Sequence, residues 1–388
     1  MSTSLTRSLF DSDHDAFREA VQEFVRREVA PVQELCRAER QIPREIWRSA
    51  GKQGFLGLAV PARHGGGEAD DYRFNVVLAE ELAAAALAFA SSVGIHTDVV
   101  APYLLELTTE EQRERWLPRF CSGELVTAMA MTEPGAGSDL AGLRTRATRD
   151  GSSGWRLTGS KIFITNGISA DLVIVAARTG EGRKDISLFT VESGVEGFTR
   201  GRKLDKVGQP EADTAELFFD NVALHEGNLI GPLHGGFDAM MTRLPQERLN
   251  SAVINVAHAA ATLRHTLGYA AERTAFGAPI GSFQHNRFLL AELVTKVEVA
   301  QAYVDRCVEA HLDRRLTAVD AAKAKWWSAQ MQNEVIDACV QLHGGYGYMR
   351  EYDVARAWVD ARVTRIWAGS NEIMKEIIGR DLGFGAPR

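Results

Sequence analysis

The feature that most constrains the fold is the spacing of apolar residues, which changes twice along the chain. From Asp13 to about Phe120, apolar side chains recur at helical spacing, and glycines and prolines mark loops between helices. Between about Leu125 and Gly231, short β-branched and aromatic runs lie between turn signals and predict strands at 155–157, 162–165, 172–176, 186–191 and 216–219. From Gly235 onward the helical spacing returns in long segments with few breaks. The sequence therefore predicts helices, then a sheet, then helices again.

The predicted fold class is α+β and mainly α-helical. Its parts are an N-terminal helical domain at 1–125, a central β-barrel or sheet domain at 126–232 and a C-terminal helical bundle at 233–388. No helix-length segment separates the central strands, so an antiparallel sheet is favoured over a βαβ nucleotide-binding fold. The 388 residues, 45% of them hydrophobic, suffice for roughly two or three domains with buried cores.

Charge and hydropathy exclude several classes of protein. The formal net charge of −7 argues against a nucleic-acid partner, and no run of lysine and arginine suggests an anionic membrane surface. The segment Met1–Phe10 lacks the apolar core of a secretion signal, and Leu82–Ile95 is shorter than the roughly 20 residues of a membrane-spanning helix. We therefore expect a cytoplasmic protein without a stable membrane anchor, and we interpret Leu82–Ile95 as a buried helix.

The cysteines are widely dispersed and show no metal-ligand spacing. We therefore expect reduced thiols, as is usual for cytosolic proteins, and no metal site. The positions concerned are Cys36, Cys121, Cys307 and Cys339.

A glycine-rich stretch, Gly135–Leu140, begins like a dinucleotide-binding fingerprint. The third glycine is absent and strand-like sequence follows where a helix is required, so that interpretation fails. By itself the stretch would be a tight turn. The longer string Ala128–Asp139, followed by Phe163–Gly167, is far more specific, because both closely resemble signature segments of the acyl-CoA dehydrogenases. Members of that family oxidise acyl thioesters with FAD.

The resemblance implies the family's fold, with a C-terminal four-helix bundle, and FAD as cofactor. In the family, the first of these segments lies near the pyrimidine edge of the flavin and the second lies beside its ring. Thr165 matches the threonine near the flavin N5 side, and Ser138 matches a serine that lies by the CoA moiety. Without the resemblance, Thr165 would be a solvent-facing strand residue and Phe163 a core residue. The implied cofactor contacts in these segments are Met131, Thr132, Gly137, Ser138, Phe163 and Thr165.

Two later segments, Glu272–His285 and Gln341–Gly347, resemble elements that bind the cofactor of a neighbouring subunit. The planar guanidinium of Arg273 suits two phosphates, and glycines allow close backbone approach. Alone, Arg273 would more often be solvated or ion-paired, and the glycines would end a helix. The resemblance implies a homotetramer and further FAD contacts at Arg273, Phe276, Gln284, Gln341, Gly344 and Gly345.

The predicted catalytic base is Glu247. Dehydrogenation removes a proton from the α-carbon of the thioester while a hydride leaves the β-carbon, so a carboxylate is required. In many family members it precedes a Gly-Thr or Gly-Ser pair near the C-terminus, where this chain has Ala368. A minority branch carries the glutamate in an earlier helix, and Leu244–Leu249 resembles the long-chain members of that branch. Alternatively, Pro245 begins a helix and Glu247 lies in its first turn, which favours an acid by about 0.3–1 kcal/mol.

The C-terminal segment is predicted to complete the site. The resemblance implies that the backbone N–H of Ala368 binds the thioester carbonyl together with a ribityl hydroxyl of FAD, a contact that does not need a side chain. Gly369 is assigned to the substrate, and Ser370 and Glu372 are assigned to the cofactor. Glu372 is also the second candidate base, or simply an acid at a helix start that Ser370 or Asn371 caps.

Two assignments concern the substrate pocket. Arg248 is expected to bind substrate or shape the pocket, or else to form an ion pair with Glu247. The acyl tail is expected to lie between the first and last domains, along Phe89–Leu104. His96 in that range is either a pocket residue or a buried, hydrogen-bonded core histidine.

The leading function is FAD-dependent α,β-dehydrogenation of a medium- or long-chain acyl-CoA to the trans-2-enoyl-CoA in fatty-acid β-oxidation. An electron-transfer flavoprotein is the expected electron acceptor, and an acyl group on a carrier protein is an alternative substrate. A flavin-dependent monooxygenase would not need Glu247, and a noncatalytic subunit of a hetero-oligomer would lose the base or the flavin contacts. Acyl-CoA oxidases usually carry an additional C-terminal region. The sequence therefore favours a dehydrogenase.

Overall fold

A computed structural model describes residues 7–151 and 154–384. Residues 1–6 of the segment Met1–Phe10, in which we expect no secretion signal, lie outside these ranges. Within the described ranges, no helix is both long enough and apolar enough to cross a membrane.

The N-terminal part is helical, and short π-helical turns follow α1 at Val25–Val29 and α5 at Ile95–Val100. The helix α7 begins with a capping box at Thr109, whose hydroxyl accepts from the Gln112 N–H while the Gln112 amide oxygen accepts from the Thr109 N–H. The helices are α1 (Ser12–Phe24), α2 (Gln33–Glu39), α3 (Arg44–Lys52), α4 (Arg73–Ala85), α5 (Leu87–Gly94), α6 (Ala101–Glu106) and α7 (Glu110–Cys121).

The stretch Leu82–Ile95 is buried, but it is not the single helix that the sequence predicted. Ala86 has extended backbone angles, φ −163° and ψ 119°, and it separates α4 from α5. The surrounding alanines favour a continuous helix, so the break shows tertiary packing overriding local propensity.

The central part is an eight-stranded sheet with the order β6-β7-β3-β2-β4-β5-β8, and β1 pairs with β4. All pairings are antiparallel except β1 with β4 and the short contact of β2 with β4, which are parallel. The strands are β1 (Thr127–Ala130), β2 (Arg146–Asp150), β3 (Gly154–Thr165), β4 (Leu172–Arg178), β5 (Ile186–Glu192), β6 (Phe198–Lys203), β7 (Thr214–His225) and β8 (Leu229–Ile230).

Two details of the strand prediction were wrong. The separate strands expected at 155–157 and 162–165 are parts of one strand, β3, whose pairing with β7 is irregular between Leu157 and Gly159 and again between Lys161 and Ile164. The charged strands β2 and β6 were missed, since most of their side chains are exposed or partly exposed and lack an apolar alternation.

The C-terminal part is a bundle in which α10 packs against α8, α9, α11 and α12. A small hairpin of β9 (Thr274–Ala275) and β10 (Ala278–Pro279) joins α8 to α9. The helices are α8 (Gly236–Glu272), α9 (Gln284–Leu312), α10 (Ala318–His343), α11 (Asp353–Ala361) and α12 (Asn371–Asp381).

One hydrophobic core is shared by the N-terminal helices and the bundle, and it includes Trp47, Leu82, Leu249 and Val335. A second core joins α6 and α7 to one face of the sheet. The segment from α5 to α6 therefore lies between the bundle and the sheet. The mainly helical α+β fold class predicted from the sequence is confirmed.

Candidate active site

Glu247 lies in the interior of α8, not in the first turn of a helix. The helix begins at Gly236, and its first turn carries Asp238. Pro245 is inside the helix, where its missing N–H removes one backbone hydrogen bond. The alternative interpretation, in which Glu247 is only a favourable acid in the first turn of a helix, was therefore wrong. The apolar helical spacing continues upstream of Pro245, and so does the helix.

The side chain of Glu247 is partly buried. Burial raises its pKa to about 7, opposed by the charges of Arg248 and Arg243 and by a hydrogen bond from Tyr103. The Tyr103 hydroxyl donates to Glu247 Oε1 at 3.4 Å. A carboxylate with a pKa near neutrality is better matched to removing a weakly acidic proton than an ordinary glutamate.

Arg248 is buried beside Glu247 but does not pair with it. Among the described residues, no carboxylate lies within ion-pairing distance of its guanidinium, and its buried Nε has no hydrogen-bond partner. Burial lowers the pKa of Arg248, which the Glu247 charge partly offsets. The ion-pair interpretation of Arg248 was therefore wrong, and a buried cationic group remains next to the carboxylate.

The C-terminal segment makes a tight left-handed turn before α12. Ala368 and Gly369 have φ values of +51° and +84°. Ser370 is the N-cap of α12 and its hydroxyl accepts from the Ile373 N–H at 3.4 Å, as predicted. Glu372 is exposed, and its pKa is lowered by hydrogen bonds from its own N–H and from Ser370. Glu372 therefore has the surroundings of a solvated acid at a helix start.

Lys325 of α10 binds this turn and lies near Arg248 of the helix that carries Glu247. Its fully buried ammonium donates to the Gly369 carbonyl at 2.5 Å. Burial, together with the nearby charge of Arg248, lowers the pKa of Lys325 to about 7. The sequence interpretation missed Lys325, although a lysine within the apolar run of α10 was a usable signal. Through it, the structure brings Arg248 and the Gly369 turn together.

A buried ion pair, which the sequence interpretation also missed, fixes the loop after β1. Lys161 of β3 donates to Glu133 Oε1 at 2.9 Å and to the Met131 carbonyl at 3.0 Å. Burial by itself raises the pKa of Glu133, but the Lys161 ammonium and the hydrogen bonds to the carboxylate lower that pKa overall. In the same loop, Met131 and Thr132 are partly exposed, and Gly137 and Ser138 are exposed.

Phe163 and Thr165 lie next to that loop. The Ile162 N–H donates to the Thr132 carbonyl at 3.0 Å, which joins β3 to the loop. Phe163 has a φ of +60° and is 65% exposed, so the interpretation of Phe163 as a core residue was wrong. An aromatic ring and a hydroxyl at the irregular end of β3 are therefore accessible to a ligand.

A second group of predicted residues lies on the surface of the bundle. Arg273 follows α8, is exposed, and lies 5.7 Å from the ring of Tyr346. Gly344 ends α10 with a φ of +60°, as expected of a helix C-cap. Gln284 opens α9, whose N-terminus receives no side-chain cap. The side chains of Phe276, Gln284 and Gln341 and the backbone at Gly345 are exposed in the same region.

These two groups of residues are not joined by direct polar contacts within the described part of the chain. Among the described residues, no hydrogen bond or ion pair connects the Arg273 region with the loop at 131–139. Each surface is open on its own.

The segment from α5 to α6 connects the helix of Glu247 with the sheet. Gln246 donates to the Asp98 carbonyl at 3.3 Å, and Asn166 donates to the carbonyls of Ser92 and Thr127. His96 is fully buried, bonds Thr127 and the Phe120 carbonyl, and stacks on the Phe120 ring. It is a satisfied core histidine. The lining of an acyl tail by Phe89–Leu104 stays a prediction.

The four cysteines are free and buried. In the part of the chain that the structure describes, no three potential metal ligands are grouped closely enough to hold a metal ion.

Comparison with known proteins identifies the family. Family models match the chain in three successive parts, described as the acyl-CoA dehydrogenase N-terminal domain at 11–124, the middle domain at 128–222 and the C-terminal domain at 234–383. The mitochondrial long-chain specific acyl-CoA dehydrogenase of Sus scrofa is 45% identical over 384 residues, which cover 97% of this chain and 88% of the relative. The chain belongs to the acyl-CoA dehydrogenase family.

Solved structures of other acyl-CoA dehydrogenases have the same fold. The structure of an acyl-CoA dehydrogenase from Geobacillus kaustophilus gives a TM-score of 0.95 at 42% identity and covers 97% of this chain and 100% of that chain. A glutaryl-CoA dehydrogenase from Mycobacterium smegmatis in complex with FADH2 gives a TM-score of 0.90 at 27% identity, with 98% and 97% covered. The predicted family is confirmed, and this acyl-CoA dehydrogenase is an oxidoreductase.

Proposed function

We propose that this acyl-CoA dehydrogenase converts a medium- or long-chain acyl-CoA to the trans-2-enoyl-CoA in fatty-acid β-oxidation, with Glu247 as the base. The observation that carries the proposal is the contrast between two carboxylates. Burial raises the pKa of Glu247 to about 7, whereas Glu372 is solvated with a lowered pKa. The position that holds the base in many relatives is Ala368, which cannot accept a proton.

The residues present fit FAD. The Arg273 guanidinium has no ion-pair partner among the described residues, and the uncapped N-terminus of α9 offers free backbone N–H groups beside Gln284. This donor set suits a pyrophosphate. Phe163 and Thr165 present a flat apolar face and a hydroxyl, as an isoalloxazine ring requires. When bound, FAD supplies the hydride acceptor for the β-carbon.

The proposed roles of the chain's own residues follow from their surroundings. Glu247 takes the α-proton, and burial keeps its carboxylate more basic than an ordinary glutamate. The backbone N–H of Ala368 donates to the thioester carbonyl and stabilises the charge that develops there, while the buried cation of Arg248 adds to this field. Gly369 lies in the same turn and contacts substrate. Ser138 lies by the CoA moiety.

The remaining proposed FAD contacts fall into the two surface groups already described. Those on the sheet side are Met131, Thr132 and Gly137, and those on the bundle side are Phe276, Gln341, Gly344 and Gly345. Ser370 and Glu372 at the start of α12 complete the set.

We also propose that the enzyme is a homotetramer in which each flavin site takes residues from two subunits. The flavin-facing loop and the Arg273 surface are separate within one chain, and each is exposed. The bundle surface also carries large exposed apolar side chains, among them Phe276 at 99% exposure, Phe288 and Tyr348. An interface with a second copy would cover them.

Two further predictions remain proposals. The division into domains at 1–125, 126–232 and 233–388 is supported by the change from helices to strands before Thr127 and back to helices at Gly236. An electron-transfer flavoprotein as the acceptor is supported by the family resemblance. A carrier-bound acyl group is kept as the alternative substrate.

The test is the rate of anaerobic flavin reduction by a panel of medium- and long-chain acyl-CoAs and by an acylated carrier protein. Glu247→Gln should lower the rate by about two to four orders of magnitude, as loss of a general base does. Glu376→Gln, an exposed change on the same helix as Glu372, is the matched control and should leave the rate unchanged. Loss confined to Glu372→Gln would show that the base is misassigned, and no reduction by any thioester would refute the reaction.

A further inference from the structure

Tyr103 is a fully buried residue of α6 whose hydroxyl lies 3.4 Å from Glu247 Oε1. Within the described residues, Glu247 is the one hydrogen-bond partner of this hydroxyl, and Tyr103 is the one hydrogen-bond donor to the Glu247 side chain. A buried hydroxyl is normally satisfied by a partner that fixes its direction. The two groups therefore depend on each other for their orientation.

Tyr103 is held in place from a second side. The Arg243 guanidinium lies 4.8 Å from the centre of the tyrosine ring, on the same helix as Glu247 and about one turn before it. Arg243 is itself fixed by the Ala239 carbonyl at 3.0 Å and by the Glu106 carboxylate at 2.6 Å. A cation over the ring withdraws charge from it and makes the phenol a stronger hydrogen-bond donor.

The backbone of α6 is also fixed to α8. The π-helical turn Ile95–Val100 directly precedes α6, and its Asp98 carbonyl accepts from the Gln246 amide at 3.3 Å. Gln246 and Glu247 are neighbours in the chain. The helix of Tyr103 therefore meets the helix of Glu247 both before and after the tyrosine.

We propose that Tyr103 is a positioning residue that holds the Glu247 carboxylate toward the substrate and stabilises its ionised form. The inference rests on the proposed role of Glu247 as the base. Tyr103 transfers no proton in this scheme. Burial and the Glu247 charge raise the pKa of the phenol well above its ordinary value, so it stays a neutral donor.

The electrostatic setting of Glu247 gives the sign of the effect. Burial favours the neutral acid, while the Tyr103 hydroxyl favours the carboxylate. Loss of the hydroxyl removes one of the few groups that counteract the effect of burial on the pKa of Glu247, so this pKa rises. The charged groups that act on this pair are Arg243 and Arg248 of α8 and Glu106 of α6. Asp98 of the π-helical turn contacts Gln246, next to Glu247, and Lys325 of α10 lies near Arg248.

The test compares Tyr103→Phe with Tyr303→Phe, which removes a hydroxyl from a partly buried tyrosine of α9. The rate of anaerobic flavin reduction is measured across pH with the best acyl-CoA of the wild type. In Tyr103→Phe the acid limb of the profile should move up by about one pH unit, because a hydrogen bond to a charged group is lost. Below the limb the rate falls about tenfold, and at high pH it recovers. The control should follow the wild-type profile.

A second measurement reads the carboxyl group directly. Infrared titration of the substrate-free holoenzyme follows the protonated carboxyl band, which is assigned to Glu247 by its absence in Glu247→Gln. The midpoint for this band should be higher in Tyr103→Phe than in the wild type and in Tyr303→Phe.

The possible outcomes distinguish failure of the Tyr103 inference from failure of the proposed role of Glu247 as the base. A Tyr103→Phe profile lowered equally at all pH values, with an unshifted infrared midpoint, would reduce Tyr103 to a packing role and overturn the inference. Flavin reduction that persists in Glu247→Gln would instead overturn the assignment of the base. A shifted midpoint with an inactive Glu247→Gln supports both.

Discussion

At the scale of single residues, Glu247 and Glu372 are both helical glutamates, but their surroundings differ. Glu247 is partly buried against Tyr103, and burial raises its pKa to about 7. Glu372 is exposed at the start of α12, where backbone and Ser370 hydrogen bonds lower its pKa. The same side chain is therefore poised to accept a proton in one place and stays ionised in the other.

Lys325 is a second residue whose surroundings decide its charge. Its folded pKa of about 7 lies below its ordinary value of 10.5 because of burial. Between these pH values the unfolded chain binds a proton that the folded chain does not, so the free energy of unfolding rises with pH across that window. Lys325 Nζ donates a hydrogen bond to the Gly369 carbonyl, which fixes the turn at Ala368.

We predict that Lys325→Met removes this contribution. Between pH 7 and pH 9 the free energy of unfolding of the wild type should gain roughly 2 kcal/mol more than that of the variant, measured by urea denaturation at both pH values. Lys323→Met, an exposed change on the same helix, is the control and should behave as the wild type. An identical pH response in Lys325→Met and wild type would contradict the lowered pKa.

At the scale of elements, the space around a helical glycine decides whether it can be replaced by alanine without loss of stability. A Cβ added to Gly51 of α3 would lie 2.3 Å from the Ser122 carbonyl carbon, just after α7. A Cβ added to Gly268 of α8 would meet no atom within 4 Å, and Gly268 is exposed. Both glycines are helical, so intrinsic propensity favours alanine at both, and only packing separates them.

The two glycine-to-alanine changes should therefore act in opposite directions. Gly51→Ala should destabilise the protein by about 1–3 kcal/mol, since rigid backbone must move to admit the methyl group. Gly268→Ala should stabilise it by about 0.5–1 kcal/mol. Thermal or urea unfolding measures both, and effects of the same sign would show that the α3–α7 contact is not as close as described.

At the scale of the whole molecule, the proposed site residues form two separate groups in one chain. Glu247 lies in the interior of α8, and Arg273 lies directly after the end of that helix, where it is exposed. In the proposed oligomer, Arg273 serves the flavin of the neighbouring subunit. A site would then need Glu247 from one chain and Arg273 from another.

This arrangement predicts complementation between two inactive variants. Glu247→Gln and Arg273→Met should each lose activity, the second through weaker FAD binding. Co-expressed mixtures should regain activity, because some sites then combine an intact Glu247 with an intact Arg273 from the partner. Two differently tagged Glu247→Gln chains, purified in the same way, are the control. Absence of recovery in mixed oligomers would place both residues in one subunit's site.

The sequence predicted those parts of the site that are local strings. The loop at 131–139, the end of β3 near Thr165 and the Ser370 cap are contiguous segments, and each lies on the element expected for it. Lys161, Lys325 and Tyr103 were missed, since each acts on a residue distant in the chain and none belongs to a recognisable string. Pro245 shows the converse error, because a local rule assigned a helix start inside a longer helix.

By itself, the sequence determined the order of helices and strands, the family, and the replacement of a C-terminal base by Ala368, because periodicity and motif spacing are written along the chain. The tertiary structure alone decided the state of the charged groups. Burial cannot be read from one position, since it depends on which elements pack around it. Only the packing of α6 on α8 places Tyr103 against Glu247, and only α10 brings a buried lysine to the Gly369 turn.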